Sequence, residues 1–208
     1  MIAELHVHST HSDGRDSVKK LLKRAIELGI NVLSVTDHDT INGSLEAMEI
    51  AEEELLPVKV LPGVELTTDK GHLLIYGVKE DFDKGMPFEE AVELARKSGG
   101  VCFVAHPFQI ERKGIASVDA IKKADGIEAF NAKYVLGIFN YLSLRLAKKF
   151  NKPVIAGSDA HSAKALGYGL TILKSNPIDA LKRGMTEIGG RRMPLRVWLS
   201  DSLGLFDE

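Results

Sequence analysis

The sequence predicts an α/β fold, built as a single compact barrel of parallel strands. The chain has 208 residues, a length typical of one domain. Apolar runs alternate with amphipathic stretches from end to end, which is the pattern of repeated βα units. Most runs are continuously apolar, as in a buried parallel sheet, and about seven repeats suit a barrel of this length. An open doubly wound sheet is the alternative, because periodicity does not distinguish a closed sheet from an open one.

The apolar runs are bounded by Gly, Pro or polar turns and are assigned to strands. They cover residues 2–7, 31–36, 58–64, 72–78, 101–105, 126–130, 154–156 and 170–173. Amphipathic stretches between them are assigned to helices, at residues 17–28, 44–56, 87–98, 117–123, 137–150 and 177–183. The first helix is followed by Gly29, a residue type that commonly ends helices.

The alternating pattern breaks down at Gly189 and Gly190, after which a mixed apolar and basic stretch follows. We therefore expect one barrel domain over residues 1–188 and a C-terminal tail over residues 189–208. Such a tail would pack on the barrel or on a partner subunit.

The composition excludes several classes of protein. Lys and Arg number 27 and Asp and Glu 29, a net charge of −2, so the chain lacks the overall basic field of nonspecific nucleic-acid binders. No run approaches the roughly 20 apolar residues of a membrane span, and the first residues do not resemble a signal peptide, so we expect a cytoplasmic protein. The lone Cys102 excludes an internal disulfide and a thiolate zinc cluster. A metal site here must use His and carboxylates.

All seven histidines lie at or just beyond predicted strand ends. His6 and His8 are two residues apart on the first strand, so their side chains share one face. Asp159 and His161 repeat this spacing after the strand at 154–156. Because active sites of barrels form at the carboxyl ends of the strands, these pairs predict a metal site.

Further residues with metal-binding side chains also lie near the ends of predicted strands: Asp13, His38, Glu65, His72 and His106. Each alone has an ordinary structural explanation, such as a helix N-cap or a buried hydrogen bond. Nine candidates at one end of a sheet are harder to explain in that way. Imidazole and carboxylate ligands together suit zinc, manganese or iron better than calcium.

The motifs that contain these residues resemble the polymerase and histidinol phosphatase (PHP) family. They occur in the family's order and are His6-Val7-His8-Ser9-Thr10-His11-Ser12-Asp13-Gly14, Thr36-Asp37-His38-Asp39, Gly63-Val64-Glu65, Ala105-His106-Pro107 and Gly157-Ser158-Asp159-Ala160-His161. The resemblance runs from residue 2 to about residue 175. It implies a distorted (β/α)7 barrel that holds up to three divalent metals, usually manganese, iron or zinc, and that hydrolyses phosphoesters.

The resemblance also implies a role for each ligand. It assigns His6, His8, Glu65 and Asp159 to one ion, Glu65, His72 and His106 to a second, and Asp13, His38 and His161 to a third. Glu65 would bridge the first two ions, and Glu65, Asp159 and His161 are the predicted catalytic residues. With two to three ions bound, we expect a hydroxide bridging two of them to attack phosphorus, since metal binding lowers the pKa of water to about 7.

Three residues are predicted to contact substrate: Arg15 as a phosphate donor, His11 beside Asp13, and Asn131 after the strand at 126–130. Lys133 is interpreted as a solvated surface charge.

The motif set is closest to family members that act on nucleotides or on short nucleic-acid ends. His106 lies 34 positions after His72, which leaves no room for the lid domain that some similar proteins insert there. The expected partner is thus a small phosphorylated substrate, a nucleotide or a short single-stranded nucleic acid, and no membrane. The alternatives are a histidinol-phosphate-type phosphatase, an amidohydrolase-like enzyme that cleaves C–N bonds, and a non-catalytic metal-bound accessory module.

Overall fold

Two mixed sheets of five strands each form the framework of the computed structural model, which describes residues 1–109, 112–115 and 117–205. The first sheet consists of β1 (Ile2–Val7), β2 (Val32–Val35), β3 (Lys59–Val60), β9 (Gly169–Leu173) and β10 (Thr186–Gly190), in the order β10-β9-β1-β2-β3. Strands β1, β2 and β3 are parallel, whereas β9 is antiparallel to both β1 and β10.

The second sheet keeps its strands in chain order. It consists of β4 (Gly63–Thr68), β5 (Gly71–Tyr76), β6 (Val101–Val104), β7 (Gly126–Asn131) and β8 (Val154–Gly157). Strands β4, β5 and β6 are antiparallel neighbours, and β6, β7 and β8 are parallel. The single predicted strand at 58–64 is in fact β3 and the start of β4, separated at Leu61 and Pro62. Proline has no N–H to donate to a sheet, which explains the break.

The prediction of a distorted (β/α)7 barrel is wrong, because the two sheets do not close into one. Only Asp69 and Lys70 join β4 to β5, and so short a connection permits only an antiparallel pair. Where the two sheets approach each other, the described residues form single bridges, Val7 with Ala160 and His38 with Glu65, instead of continuous ladders. The alternation of strands and helices is confirmed, but closure of the sheet is not.

Helices cover the sheets at the positions that the sequence predicts, to within three residues at each end. They are α1 (Val18–Glu27), α2 (Asn42–Glu53), α3 (Phe88–Lys97), α4 (Val118–Lys123), α5 (Ile138–Lys149) and α6 (Pro177–Arg183). A further helix, α7 (Leu195–Leu203), lies in the predicted tail. Among the described residues, a helix with the length and apolar character needed to cross a membrane is not found.

Apolar packing fixes which face of β1 points to the site. Leu5 and Val7 are fully buried in apolar clusters, and Val7 packs in the cluster that also holds the buried face of α1. Side chains alternate along a strand, so His6 and His8 point to the opposite face. A shift of one residue in register would exchange the two sets, and the apolar core therefore holds both histidines in place.

The C-terminal segment packs against the rest of the chain. Strand β10 spans the predicted boundary between residues 188 and 189, and Met193 and Trp198 pack on the apolar cluster beneath α1. Asp201 of α7 accepts hydrogen bonds from the His161 backbone N–H at 2.9 Å and from Ser162 Oγ at 2.7 Å. The division into domain and tail stays a prediction, and residues 206–208 lie outside the described part.

Candidate metal centre

The nine predicted metal ligands converge where the two sheets meet. His6 lies on β1, Glu65 on β4 and His72 on β5, and Asp159 and His161 follow β8. Seven of the nine are at most 9% exposed, while His38 is half-buried and Asp13 is exposed. The convergence that the sequence predicts for these side chains is therefore present, although the sheet is not the predicted barrel.

Glu65 lies at the centre of this cluster. Its Oε2 is 3.1 Å from His6 Nε2 and 3.2 Å from His8 Nε2. Its Oε1 is 3.1 Å from His72 Nδ1 and 2.9 Å from His106 Nε2. Burial raises the pKa of Glu65, but the surrounding imidazoles, His6 foremost, outweigh burial and hold the pKa well below its usual range. A carboxylate with each oxygen among different imidazoles has the geometry of a bridging ligand.

A second part of the cluster surrounds Asp13 in the loop after β1. Asp13 Oδ2 lies 3.2 Å from His161 Nε2 and 3.7 Å from His38 Nε2, and Oδ1 lies 3.7 Å from His8 Nδ1. His38 also connects to the centre, because its Nδ1 is 3.3 Å from Glu65 Oε2. Partial burial raises the pKa of Asp13, but contact with His161 and the other imidazoles lowers it well below the usual range.

Asp159 is fully buried in a left-handed backbone conformation, with φ of 55°. Arg112 Nη2 donates to its carboxylate at 2.8 Å, and Asn131 Nδ2 donates to Oδ2 at 3.0 Å. Burial raises the pKa of Asp159, yet the charge of Arg112 outweighs burial and keeps the pKa well below its usual range. The side chain is thus an anion held in a fixed orientation.

Ring nitrogens without hydrogen-bond partners show that the cluster fits metal ions. Within the described residues, these buried atoms include both ring nitrogens of His8 and Nδ1 of His38, His72 and His106. Buried polar atoms are normally paired, and a cation would pair with the ring lone pairs. In four groups the possible ligand atoms all lie within 4.8 Å of one another: His8, Asp13, His38 and His161; His6, His106 and Asp159; His6, His8 and Glu65; and His38, Glu65 and His72. These groups contain all nine predicted ligands, although their membership differs from the three predicted sets.

Comparison with known proteins agrees with this donor set. A family model described as the PHP domain matches residues 4–106, and one described as PHP-associated matches residues 137–186. An uncharacterized protein of Methanocaldococcus jannaschii is 32% identical over 155 residues, which cover 69% of this chain and 90% of that protein. The chain belongs to the PHP family.

Other PHP proteins extend the comparison. A 5′-3′ exoribonuclease of Haemophilus influenzae is 42% identical over 95 residues, which cover 46% of this chain but only 34% of that protein. The crystal structure of a two-domain protein from Bacteroides vulgatus, described as containing a predicted PHP-like metal-dependent phosphoesterase, superposes with a TM-score of 0.75. That match is 19% identical and covers 97% of this chain and 69% of the other, so it shows a shared fold. Membership of the PHP family supports the expectation of a metal-dependent phosphoester hydrolase.

Glu128 of β7 forms hydrogen bonds to two histidines of the PHP site, His6 and His106. His6 Nδ1 donates to Glu128 Oε1 at 2.8 Å, and the His106 backbone N–H donates to Glu128 Oε2 at 2.7 Å. Burial lowers the pKa of His6, but the carboxylates of Glu65 and Glu128 raise it well above its usual range. Since the carboxylate only accepts, it fixes the proton on Nδ1 and leaves Nε2 facing Glu65.

The two aspartates beside His38 hydrogen-bond to neighbouring segments. Asp37 accepts from the Ser9 backbone N–H at 2.7 Å and from Ser12 Oγ at 2.6 Å, and so holds the loop that carries Asp13. Asp39 accepts from Thr67 N at 2.6 Å and pairs with Lys84.

A cleft of about 1480 Å³ opens over the metal ligands, and basic side chains line its base. Lys133 is only 5% exposed, with Nζ 3.0 Å from Asp201 Oδ2 and 2.8 Å from His161 Nδ1, so its interpretation as a solvated charge is wrong. Arg112 also lines the cleft, and sequence reasoning missed it. Its one signal is a position six residues after His106, in a loop without apolar periodicity.

The three predicted substrate contacts have different surroundings. Arg15 lines the cleft and donates to the Ser200 backbone carbonyl. His11 is partly exposed and its Nε2 contacts Glu46. Asn131 is fully buried, and its amide holds Asp159 and Glu128. Of the three, Arg15 is the one among the residues that line the cleft, and all three substrate contacts stay predictions.

Proposed function

We propose that this PHP-family hydrolase cleaves a phosphate ester of a nucleotide or of a short nucleic-acid end. Two to three divalent ions, of manganese, iron or zinc, would be held by the nine ligands described above. The observation that carries the proposal is the position of Glu65, with each carboxylate oxygen within 3.2 Å of two different imidazole nitrogens.

The donor set supports borderline transition metals. It combines imidazole nitrogens with carboxylate oxygens and contains no thiolate, since Cys102 lies buried in β6. Such ligands suit zinc, manganese and iron. When bound, the ions would supply electrostatic stabilisation of phosphoryl oxygens and activation of water at neutral pH.

The protein's own side chains would orient the substrate and the ligands. Glu65, Asp159 and His161 are the proposed catalytic residues, because each contributes to more than one contact within the ligand cluster. Glu128 pairs with His6 Nδ1, which leaves Nε2 facing the centre, where it would bind an ion. Lys133, Arg112 and Arg15 place positive charge around the cleft, where they complement a phosphate dianion.

The substrate class is supported by the shape of the cleft and by one relative. The cleft is large enough for a nucleotide, and the 34-residue spacing from His72 to His106 holds α3 without an inserted lid. The H. influenzae relative is named as a 5′-3′ exoribonuclease. A nucleotide or an RNA end is therefore the substrate we test first.

The test is hydrolysis of a panel by protein reconstituted separately with manganese, iron and zinc. The panel contains a nucleoside 3′,5′-bisphosphate, short 5′-phosphorylated RNA, histidinol phosphate and an aryl phosphate. Glu65→Gln is the site variant, and Glu93→Gln is the matched control, because Glu93 is 68% exposed on α3. We expect turnover of the nucleotide or RNA substrates that is lost in Glu65→Gln and kept in Glu93→Gln.

Two results would contradict the proposal. Faster turnover of histidinol phosphate than of every nucleotide would mean that the substrate is a histidinol-phosphate-type small molecule and not a nucleotide or nucleic-acid end. No turnover of any ester by protein with two or more ions demonstrably bound would instead favour the non-catalytic accessory module.

A further inference from the structure

One side of the cleft is apolar, although it borders the most charged part of the molecule. It is formed by two segments, the loop from β7 to α5 together with the first turn of α5, and helix α7. We call it the apolar wall, and its residues are Tyr134, Val135, Leu136, Phe139, Trp198 and Leu203. Leu136 and Leu203 are each 60% exposed and Val135 is 52% exposed. Exposed apolar side chains gathered around a cleft are typical of a binding surface.

The apolar wall is held in a fixed shape by the C-terminal segment. Trp198 Nε1 donates to the Lys133 carbonyl at 3.0 Å, and the Met193 N–H donates to the Ala132 carbonyl at 2.9 Å. The ring centroids of Tyr134 and Phe139 lie 5.5 Å apart. Because these hydrogen bonds join the two segments, the apolar side chains face the cleft before any ligand binds.

Positive charge lies directly beside the apolar wall. Lys133 immediately precedes Tyr134, and its Nζ is 2.8 Å from His161 Nδ1 at the base of the cleft. Arg112 lies on the same base, with Nη2 2.8 Å from the Asp159 carboxylate. A ligand with an anionic end and an apolar planar end would therefore meet complementary surfaces at both ends.

We infer that the apolar wall binds the base of the nucleotide substrate, which makes Leu136, Trp198 and Leu203 specificity-determining residues. The inference rests on the proposed function and narrows its substrate class to phosphate esters that carry a planar aromatic group. Every nucleobase has an apolar π-face, so stacking on this wall gives affinity without a strong base preference. A sugar phosphate without a base would leave the wall exposed to water.

The first readout is binding without phosphate or metal. The chain contains a single Trp, Trp198, so its fluorescence reports directly on the wall. We expect adenosine to quench this fluorescence saturably in the metal-free protein, and ribose to leave it unchanged. Calorimetry of the same titrations checks that the quenching reflects binding.

The second readout is the ratio of kcat/KM for adenosine 5′-monophosphate to that for ribose 5-phosphate, measured on the manganese-loaded protein. Stacking of one base predicts a preference of about tenfold or more for the nucleotide. Leu136→Ser and Leu203→Ser should each reduce this ratio and weaken adenosine binding, with little change for ribose 5-phosphate. Leu195→Ser is the matched control, because Leu195 is 65% exposed on the same helix but does not line the cleft.

The outcomes separate this inference from the proposed function. Equal kcat/KM for the two esters, or variants at Leu136 and Leu203 that behave like Leu195→Ser, would overturn the role of the apolar wall while leaving a phosphoesterase. Hydrolysis of neither ester, with metal bound, would count against the proposed function. Saturable adenosine binding weakened by Leu136→Ser would support the wall even in that case.

Discussion

The base and the apolar wall of the same cleft are built in different ways. The base consists of buried charged and polar side chains at strand ends, and its members hold one another: Glu65 alone is within 3.3 Å of five imidazole nitrogens. The apolar wall consists of the buried Tyr134 and of partly or largely exposed side chains on the loop before α5, on the first turn of α5 and on α7. These segments are tied together mainly through the backbone of residues 132–133.

Because of this difference, substitutions in the base and substitutions on the apolar wall should have different effects. A substitution in the base leaves buried charges without partners, which is among the costliest changes in a protein. Substitution of Leu136 or Leu203, each 60% exposed, removes contact with a ligand without opening the core. We therefore expect large effects on every substrate from the base and selective effects from Leu136→Ser and Leu203→Ser. The following predictions rank the base, the residues that support it and the rim of the cleft.

The largest effect is expected for Glu65→Gln. A neutral amide cannot replace a carboxylate that faces two pairs of imidazoles, so bound metal and activity should both fall, activity by more than about 100-fold. Metal content by elemental analysis and kcat/KM measure the two losses. Full metal content with near-normal activity would show that Glu65 is not a bridging ligand.

A smaller loss is expected for Glu128→Gln, because Glu128 acts through His6. Replacement of the carboxylate weakens the hydrogen bond that fixes the proton on His6 Nδ1, and metal affinity should fall about 10- to 100-fold. Calorimetric titration of the metal ion into each metal-free protein measures this affinity directly. Because Glu128 is fully buried and does not line the cleft, KM at saturating metal should stay close to that of the unchanged protein; a large rise in KM would place Glu128 in the substrate site.

An intermediate effect is expected for Gly43→Ala at the start of α2. A Cβ at this position would lie 2.0 Å from Asp37 Oδ2 and 2.9 Å from Ser9 Oγ, so the carboxylate that holds the loop after β1 must move. Overpacking of this kind costs about 1 to 3 kcal/mol of unfolding free energy, and Asp13 should lose its position with the loop. Gly189→Ala is the control, because the nearest atom to its Cβ is 3.7 Å away. Denaturant unfolding measures the unfolding free energy of both variants. Equal unfolding free energies would contradict the predicted clash at Gly43.

The smallest effect is expected for Lys84→Ala at the rim of the cleft. Lys84 is 68% exposed and pairs with Asp39 at 2.9 Å, and exposed ion pairs contribute little. We expect kcat/KM to change by less than about fivefold, with most of the change removed at high salt. A loss as large as that of Glu128→Gln would mean that the rim holds the substrate phosphate.

Much of the base could be predicted from the sequence because strand geometry is local. The alternation of side chains places His6 and His8 on one face, and the apolar neighbours Leu5 and Val7 fix which face it is. The same reasoning places Glu65 just after a predicted strand, although the structure has it inside β4, and Asp159 and His161 after another. Asp13 and His38 were also candidates by position, and only the family resemblance assigns them to a third ion.

The errors arose where long-range pairing decides. The turn at Asp69 and Lys70 makes β5 antiparallel to β4, and β9 and β10 run antiparallel at the edge of the first sheet, so the predicted barrel does not close. The sequence predicts a solvated Lys133 because lysine side chains are usually exposed. In the structure Lys133 forms a buried ion pair with Asp201, which lies 68 positions later in the chain. Strand β10 and helix α7 lie in a region where glycines and a mixed pattern give weak local signals.

By itself, then, the sequence determined the order of strands and helices and the donor types of the metal centre, because these follow from residue type and short-range periodicity. Only the tertiary structure decided the two open sheets, the placement of Lys133 and Arg112 beside the ligands, and the union of the loop after β7 with α7 in the apolar wall. Each of these depends on contacts between residues far apart in the chain. Such contacts form because the whole core excludes water, and no local pattern encodes which distant partner a side chain will meet.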